Sequence, residues 1–183
     1  MNRKPKILPI RIYGDKVLSQ KAEPVEQITP EIAEFIEDLT HTMYEKDGVG
    51  LAAPQVGVSL RIFVVDTKWT TEDKRKPLVF INPEFITMEE SETNEEGCLS
   101  FPNIFEKVTR FKYVKIKARN EKWEEVIYEG EELFAIALQH EYDHLNGVFF
   151  IDKIPQIRKL IIRKQLKELE STTEENGINI RND

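Results

Sequence analysis

The alternation of apolar and polar positions divides the chain into elements. Ile32, Phe35, Ile36, Leu39 and Met43 recur at helical spacing behind Thr29, a suitable N-cap, and Pro30, a suitable first helical residue. They predict an amphipathic helix to about Lys46. His41 is nine positions from Ile32, half a turn round, and so reads as a surface residue. Residues 1 to 28 mix short apolar pieces with Pro5, Pro9, Gly14 and Pro24, the pattern of irregular or extended chain wrapped over a core. Leu60 to Asp66 (LRIFVVD) and Pro77 to Ile81 (PLVFI) are β-branched and aromatic runs that read as strands, with Thr70 to Lys76 between them as an exposed hairpin loop.

Phe111 to Arg119 sets Val114, Ile116 and Ala118 against Tyr113, Lys115 and Lys117, a half-solvated strand, and a turn at Asn120 to Lys122 leads into a partner strand at Trp123 to Tyr128. Glu131 to Leu145 then reads as a helix, with acids in its first turn and Asn146-Gly147 as a left-handed stop. Within it Leu133, Ile136, Ala137, His140 and His144 fall on one stripe, whose apolar part would form a floor beside the two histidines. A short strand at Val148 to Ile151, a last helix from Pro155 to about Glu170, and a frayed polar tail from Ser171 to Asp183 complete the expectation. Several short strands ahead of one central helix, with helices at either end, give an α+β architecture with mainly antiparallel sheets in a single domain, 1–183.

Composition narrows the class without changing that picture. A chain of 183 residues, 40% hydrophobic and 32% charged, is ordinary for a soluble globular unit. The net charge of -7 and pI near 5.2 argue against whole-surface attraction to nucleic acid or anionic membrane, while leaving room for a local basic patch. Neither a basic-apolar leader nor an apolar run approaching about twenty residues is visible, so secretion and membrane spanning are not expected. The single cysteine, Cys98, cannot form an intrachain disulfide and points to a reduced, cytosolic setting.

The candidate chemistry centres on Gln139 to Gly147 (QHEYDHLNG). His140, Glu141 and His144 form an H-E-x-x-H pattern: a spacing of four stacks the imidazoles on one helical face with a carboxylate beside them, which suits a divalent metal and an adjacent base. A catalytic site of this kind takes a third protein ligand and keeps one position open. His41 lies on the wrong face of its own helix. Glu168, 24 residues after His144, would mimic a metalloprotease with its third ligand on a later helix, and Cys98 offers a soft thiolate. Physical reasoning leaves Cys98 and Glu168 both in contention. Taken alone, Cys98 reads equally as a small buried hydrophobe, and Gly48 to Gln55 as a small-residue connector that permits close backbone approach and ends in an amide able to donate and accept.

Gly48 to Gln55 (GVGLAAPQ), Glu96 to Ser100 (EGCLS) and Gln139 to His144 (QHEYDH) resemble, in order and spacing, the three signature segments of the peptide deformylase family, in its bacterial type with a C-terminal helix. The resemblance implies that Cys98, His140 and His144 hold one divalent metal, typically Fe2+, for which Zn2+, Ni2+ or Co2+ can stand in. It makes Glu141 the acid/base, and Gln55 with the Leu99 backbone N–H the oxyanion site. Val49, Gly50 and Gly97 would keep backbone near an extended substrate, while Leu133, Ile136 and Ala137 would line its methionine pocket. The implied reaction is cytoplasmic hydrolysis of the N-formyl group from the initiator methionine of nascent polypeptides, with release of formate.

Asn94 and Glu95 stand where a bulky aliphatic residue is frequent in the family, which bears on the outer rim of that pocket. Asp143, charged in a buried helix, wants a cation, with Arg110 as candidate. The competing readings are a zincin-like metalloendopeptidase using His140, His144 and Glu168, and a non-catalytic protein with a closed four-ligand metal. The last helix carries Arg158, Lys159, Arg163, Lys164 and Lys167, with Leu160, Ile161, Leu166 and Leu169 expected against the body. Deformylases with such a helix can dock on ribosomal RNA, so the resemblance makes ribosome docking through it an option, and the acidic charge and lack of a long apolar run leave no membrane partner expected.

Overall fold

The β-branched runs pair into the larger of two antiparallel sheets. In the computed structural model, which describes residues 3–72 and 74–181, β1 (Gly50–Ala52), β2 (Ile62–Val65), β3 (Leu78–Glu89), β6 (Tyr113–Arg119) and β7 (Glu125–Glu131) form one sheet in the order β1-β2-β3-β6-β7. β4 (Glu92–Cys98) and β5 (Phe101–Arg110) form a second, two-stranded sheet. Every pairing between strands is antiparallel. All four residues of β2 are buried, which explains its unbroken apolar run, whereas β6 buries Val114, Ile116 and Ala118 and leaves the alternate residues half-buried.

Helix α1 (Pro30–Glu45) starts as its sequence requires, with the Thr29 hydroxyl accepting from the Ile32 N–H at 3.3 Å. It buries Ile36, Leu39, Met43 and Tyr44, and His41 is left half-buried on the side of Glu45. The one-turn helix α2 (Trp69–Glu72) opens the segment expected as a plain loop, because the Trp69 indole N–H donates to the Gly48 carbonyl at 3.0 Å and its ring meets Tyr44 edge-on. The N-terminal segment runs over the body as largely irregular chain, broken by a 3-10 turn at Lys16–Ser19, and buries Ile10, Ile12, Leu18, Ala22 and Val25.

Helix α3 (Glu132–Leu145) has two opposed inner faces. At 100° per residue Ala135, Leu138, Tyr142 and Leu145 share one side, which packs on the five-stranded sheet. Leu133, Ile136, Ala137, His140 and His144 share the opposite side. That side is mixed: Ala137 belongs to the buried core and both histidines are buried, while Leu133 is 48% exposed, and Leu133, Ile136, Ala137 and His140 line a cleft.

Three C-terminal expectations need correction. Val148 to Ile151 is no strand; a 3-10 turn, Phe150–Lys153, forms there, with the Phe149 N–H donating to the Asp152 carboxylate at 2.9 Å. Phe150 and Ile151 are consecutive and both buried, as a turn permits and a strand with one solvated face does not. Helix α4 (Gln156–Glu170) faces the body with Ile162, Leu166 and Leu169, while Leu160 and Ile161 are 57% and 60% exposed. From the same helix the Arg158 guanidinium donates twice, at 2.9 and 2.8 Å, to the buried carboxylate of Glu106 on β5. Finally, the polar segment after Ser171 does not fray within the described residues. It turns at Gly177 (φ 83°) and lays Asn179, Ile180 and Arg181 against residues 10 to 15.

Candidate active site

Residues of α3, β1, β4, β5 and the 3-10 turn Ala53–Val56 meet at the cleft. From α3, the Nε2 atoms of His140 and His144 lie 3.3 Å apart, and Cys98 Sγ, at the end of β4, lies 3.3 Å from His144 Nε2. The three ligand atoms all fall within 4.8 Å of one another. A tetrahedral ion with bonds of about 2.1 Å to nitrogen and about 2.3 Å to sulfur holds its ligands roughly 3.5 Å apart, so this donor set has the chemistry and spacing a divalent first-row metal takes. Glu168 is not among these atoms. It sits exposed on α4, with Lys164 Nζ 3.9 Å away. His41, on α1, is likewise outside the group.

Cys98 is presented by a tight hairpin: the β4–β5 pairing closes at Cys98 and Phe101, leaving Leu99 and Ser100 as a two-residue turn, with a register shift between Gly97 and Cys98. Inward-facing residues alternate along β4, so Glu96 shares a side with Cys98 and is buried behind the histidines. Its carboxylate lies 2.9 Å from His140 Nδ1 and accepts two bonds from Arg110, at 2.7 and 2.9 Å. Burial works to raise the Glu96 pKa, but the bonds and charges of Arg110 and His140 outweigh it and lower the carboxyl to about 2. Arg110 reaches on to Asp143, the pairing expected from sequence, and Lys153 Nζ stands 3.3 Å from that same carboxylate.

Glu96 received no role from sequence reasoning. The available signal was its i, i+2 relation to a candidate ligand on a strand, together with the need of a ligating imidazole for an acceptor on its other nitrogen. The two histidines differ in this respect. His140 has Glu96 behind it, whereas His144 Nδ1 is buried with no hydrogen-bond partner among the described residues.

Glu141 is buried beside them, and its Oε2 has no hydrogen-bond partner among the described residues. Burial raises its pKa to about 7, against the opposing charges of His140 and Arg110, and a cation held by the neighbouring ligands would draw it down again. Gly50 explains itself here: a Cβ on it would lie 2.6 Å from Glu141 Oε1, so a side chain would displace the carboxylate. Gln55 sits in the 3-10 turn Ala53–Val56. Its Oε1 accepts from the Ala52 N–H at 2.9 Å, which turns Nε2 towards Cys98 Sγ (3.4 Å) and Ser100 Oγ (3.3 Å). Ser100 was the second partner not foreseen.

The cleft has a volume of about 490 Å³. Val49, Gly50, Gly97, Leu99, Leu133, Ile136 and Ala137 all line it, beside Gln55, Cys98, His140 and Glu141. Glu95 also lines it, while Asn94 turns inward with its Nδ2 buried and unpartnered, so the departure from the family pattern reaches the rim through Glu95. β1 is an edge strand paired only with β2, which leaves its other side unpaired in the sheet.

The family model for polypeptide deformylase matches residues 7–160, which leaves out most of α4 and the tail. The peptide deformylase of Pseudothermotoga lettingae is 52% identical over 161 residues, covering 87% of this chain and 90% of that protein. Among solved structures, a peptide deformylase from Legionella pneumophila superposes with a TM-score of 0.83 at 38% identity, covering 90% of this chain and 96% of the other. The Thermotoga maritima enzyme superposes with a TM-score of 0.75 at 46% identity, covering 81% and 98%.

Proposed function

The chain belongs to the polypeptide deformylase family, metal-dependent hydrolases that remove the N-formyl group from nascent polypeptides, and we propose that it does so with Cys98, His140 and His144 as metal ligands and Glu141 as the acid/base. The observation that carries this reading is the meeting of a thiol and two imidazoles within 4.8 Å, at a cleft that also holds an unpartnered carboxylate oxygen and an oriented amide donor. When bound, a divalent ion supplies Lewis acidity that makes hydroxide available near neutral pH. Iron as Fe2+ is the proposed ion, and the donor set would also accept Zn2+, Ni2+ or Co2+.

The protein's own groups do the rest. Glu141 accepts a proton from the attacking water at a carboxylate oxygen and returns it to the departing amine, a role worth roughly 10²- to 10⁴-fold. Negative charge gathering on the formyl oxygen is met by Gln55 Nε2 and the Leu99 N–H, each contributing on the order of 3 kcal/mol. The free side of Val49 and Gly50 and the exposed backbone at Gly97 accept the peptide as an added strand, and Leu133, Ile136 and Ala137 take the methionine side chain.

Two further readings concern place and partner. No helix among the described residues is long and apolar enough to cross a membrane, and nascent chains are met in the cytoplasm, the proposed location. Ribosome docking through α4 is supported by what that helix leaves exposed: Ile157, Leu160 and Ile161 with Arg163, Lys164 and Lys167. Arg158 and Lys159 are engaged with Glu106 and Asp152 and serve the fold first.

The test is anaerobic purification with metal analysis, then assay of formate release from formyl-Met peptides beside unformylated equivalents, for the wild type and Cys98→Ser. Formate release by the wild type, with loss of metal in the variant, supports the reading. Full metal content in Cys98→Ser with cleavage of internal peptide bonds would return Glu168 to consideration.

A further inference from the structure

Gly48, Val49 and Gly50 form a continuous stretch of the cleft wall. Gly50 belongs to β1, where it pairs with Val65, but the two residues before it lie outside the strand and are fixed one hydrogen bond at a time. The Gly48 N–H donates to the Met43 carbonyl near the end of α1 at 2.9 Å, and the Val49 carbonyl accepts from the Asp66 N–H at 2.9 Å. Between these bonds, the Gly48 carbonyl accepts from the Trp69 indole N–H at 3.0 Å, a side-chain contact from 21 positions away.

The indole is itself braced. Its ring centroid lies 5.4 Å from that of Tyr44, edge-on at 83°, and the Arg75 guanidinium stands 4.5 Å from the Tyr44 centroid and 5.8 Å from that of Trp69. The Tyr44 hydroxyl donates to the buried Asp66 carboxylate at 2.7 Å. The same carboxylate accepts from the N–H groups of Lys68 (3.2 Å) and Lys76 (2.6 Å), so the segment carrying Trp69 is tied on either side of it to one group.

In a planar trans peptide the carbonyl and the N–H that follows it point in opposite directions. Bonding the Gly48 carbonyl to the indole therefore turns the Val49 N–H away from Trp69, and that N–H has no hydrogen-bond partner among the described residues. It lies one residue along the chain from Gly50, where a Cβ would come within 2.6 Å of Glu141 Oε1. We propose that Trp69 is a positioning residue for the substrate: its indole N–H fixes the Gly48–Val49 peptide so that the Val49 N–H is presented to a main-chain carbonyl of the bound formyl peptide. The inference rests on the deformylase reading of the cleft. A main-chain contact of this kind is made alike in the ground state and the transition state, so it acts on KM and leaves kcat unchanged.

Trp69→Phe keeps a ring against Tyr44 and removes the N–H. The metal-loaded full-length variant, assayed on formyl-Met-Ala-Ala amide, should keep the metal content of the wild type and a kcat within about twofold of it, with KM raised about three- to tenfold. The chain has two tryptophans, which supply a second measurement that needs neither a folded variant nor turnover. In the loaded wild type the Trp69 indole N–H should exchange with solvent at least about tenfold more slowly than that of Trp123, whose ring faces the Arg119 guanidinium and whose N–H has no hydrogen-bond partner among the described residues. Equal exchange of the two indoles overturns the positioning role, as does a Trp69→Phe protein with unchanged KM, with lost metal, or with a fall in kcat at constant KM. Absence of formate release by the loaded wild type overturns the deformylase reading, and this inference with it.

Discussion

The corner behind His140 and the outer face of α4 both carry charged side chains, yet they are built on opposite terms. Behind His140, Glu96 and Arg110 have side chains only 4% and 2% exposed, and each satisfies the other through two hydrogen bonds. On α4, Ile157, Leu160 and Ile161 stand in solvent among lysines. The contrast separates positions under strict physical constraint from positions free to vary. A buried ion pair is costly to break, because the surviving charge cannot be solvated, while an exposed helix face tolerates exchange.

The largest expected difference comes from cutting the buried pair. Glu96→Ala leaves Arg110 buried with only part of its charge matched by Asp143, and should cost about 3–5 kcal/mol in chemical denaturation. It also removes the acceptor behind His140, so metal affinity should fall by roughly 10- to 100-fold, measured by chelator competition. An unchanged unfolding midpoint would show that the corner is not constrained in this way.

Acid should dissolve the same corner without mutation. The folded Glu96 pKa is lowered to about 2 from 4.5, so its stabilisation is present above pH 4.5 and lost as the pH falls towards 2. About 3 kcal/mol should go over that window. Glu96→Gln should flatten this part of a stability-against-pH curve, and an acid limb identical to the wild type would assign the loss to other carboxylates.

The outer face should show the smallest catalytic effect. Reversing Arg163, Lys164 and Lys167 to Glu leaves the Arg158–Glu106 anchor intact, so hydrolysis of short formyl-Met peptides should stay within about twofold. Salt-sensitive ribosome binding should weaken by roughly tenfold. Sedimentation with ribosomes at two salt concentrations reads it, and equal binding by variant and wild type would remove α4 as the docking face.

The same contrast explains what could be read from the chain. Thr29-Pro30 marked the start of α1 because capping is local, and the alternation of Val114, Ile116 and Ala118 marked β6 because one face of that strand is buried. His140 and His144 could be paired because a metal site on a helix imposes a spacing of four that leaves a trace in sequence, whereas Cys98 stood level with Glu168 until the resemblance to peptide deformylases named it. The facing of α4 left no such trace. Its apolar residues do not fall on a single face, and those that are covered, Ile162, Leu166 and Leu169, join a cluster with Phe101, Ile104 and Phe150 that is distant in sequence. The tail misled for a related reason. Its polar residues signal solvent, yet Asn179 is buried at 1% exposure because backbone groups of Tyr13, Leu169 and Ile12 and the Asp15 carboxylate satisfy it. Glu96 lay between these cases, since its alternation with Cys98 was visible and its partner, Arg110, was not.

The central claim is that holding the metal and moving the proton belong to different residues, Cys98, His140 and His144 for the one and Glu141 for the other, and Glu141→Gln tests it most directly. With metal content and formate release measured on the same preparation, the variant should retain the metal of the wild type and lose at least about a hundredfold in kcat on a formyl-Met peptide. Near-normal formate release from a fully loaded Glu141→Gln protein would contradict it.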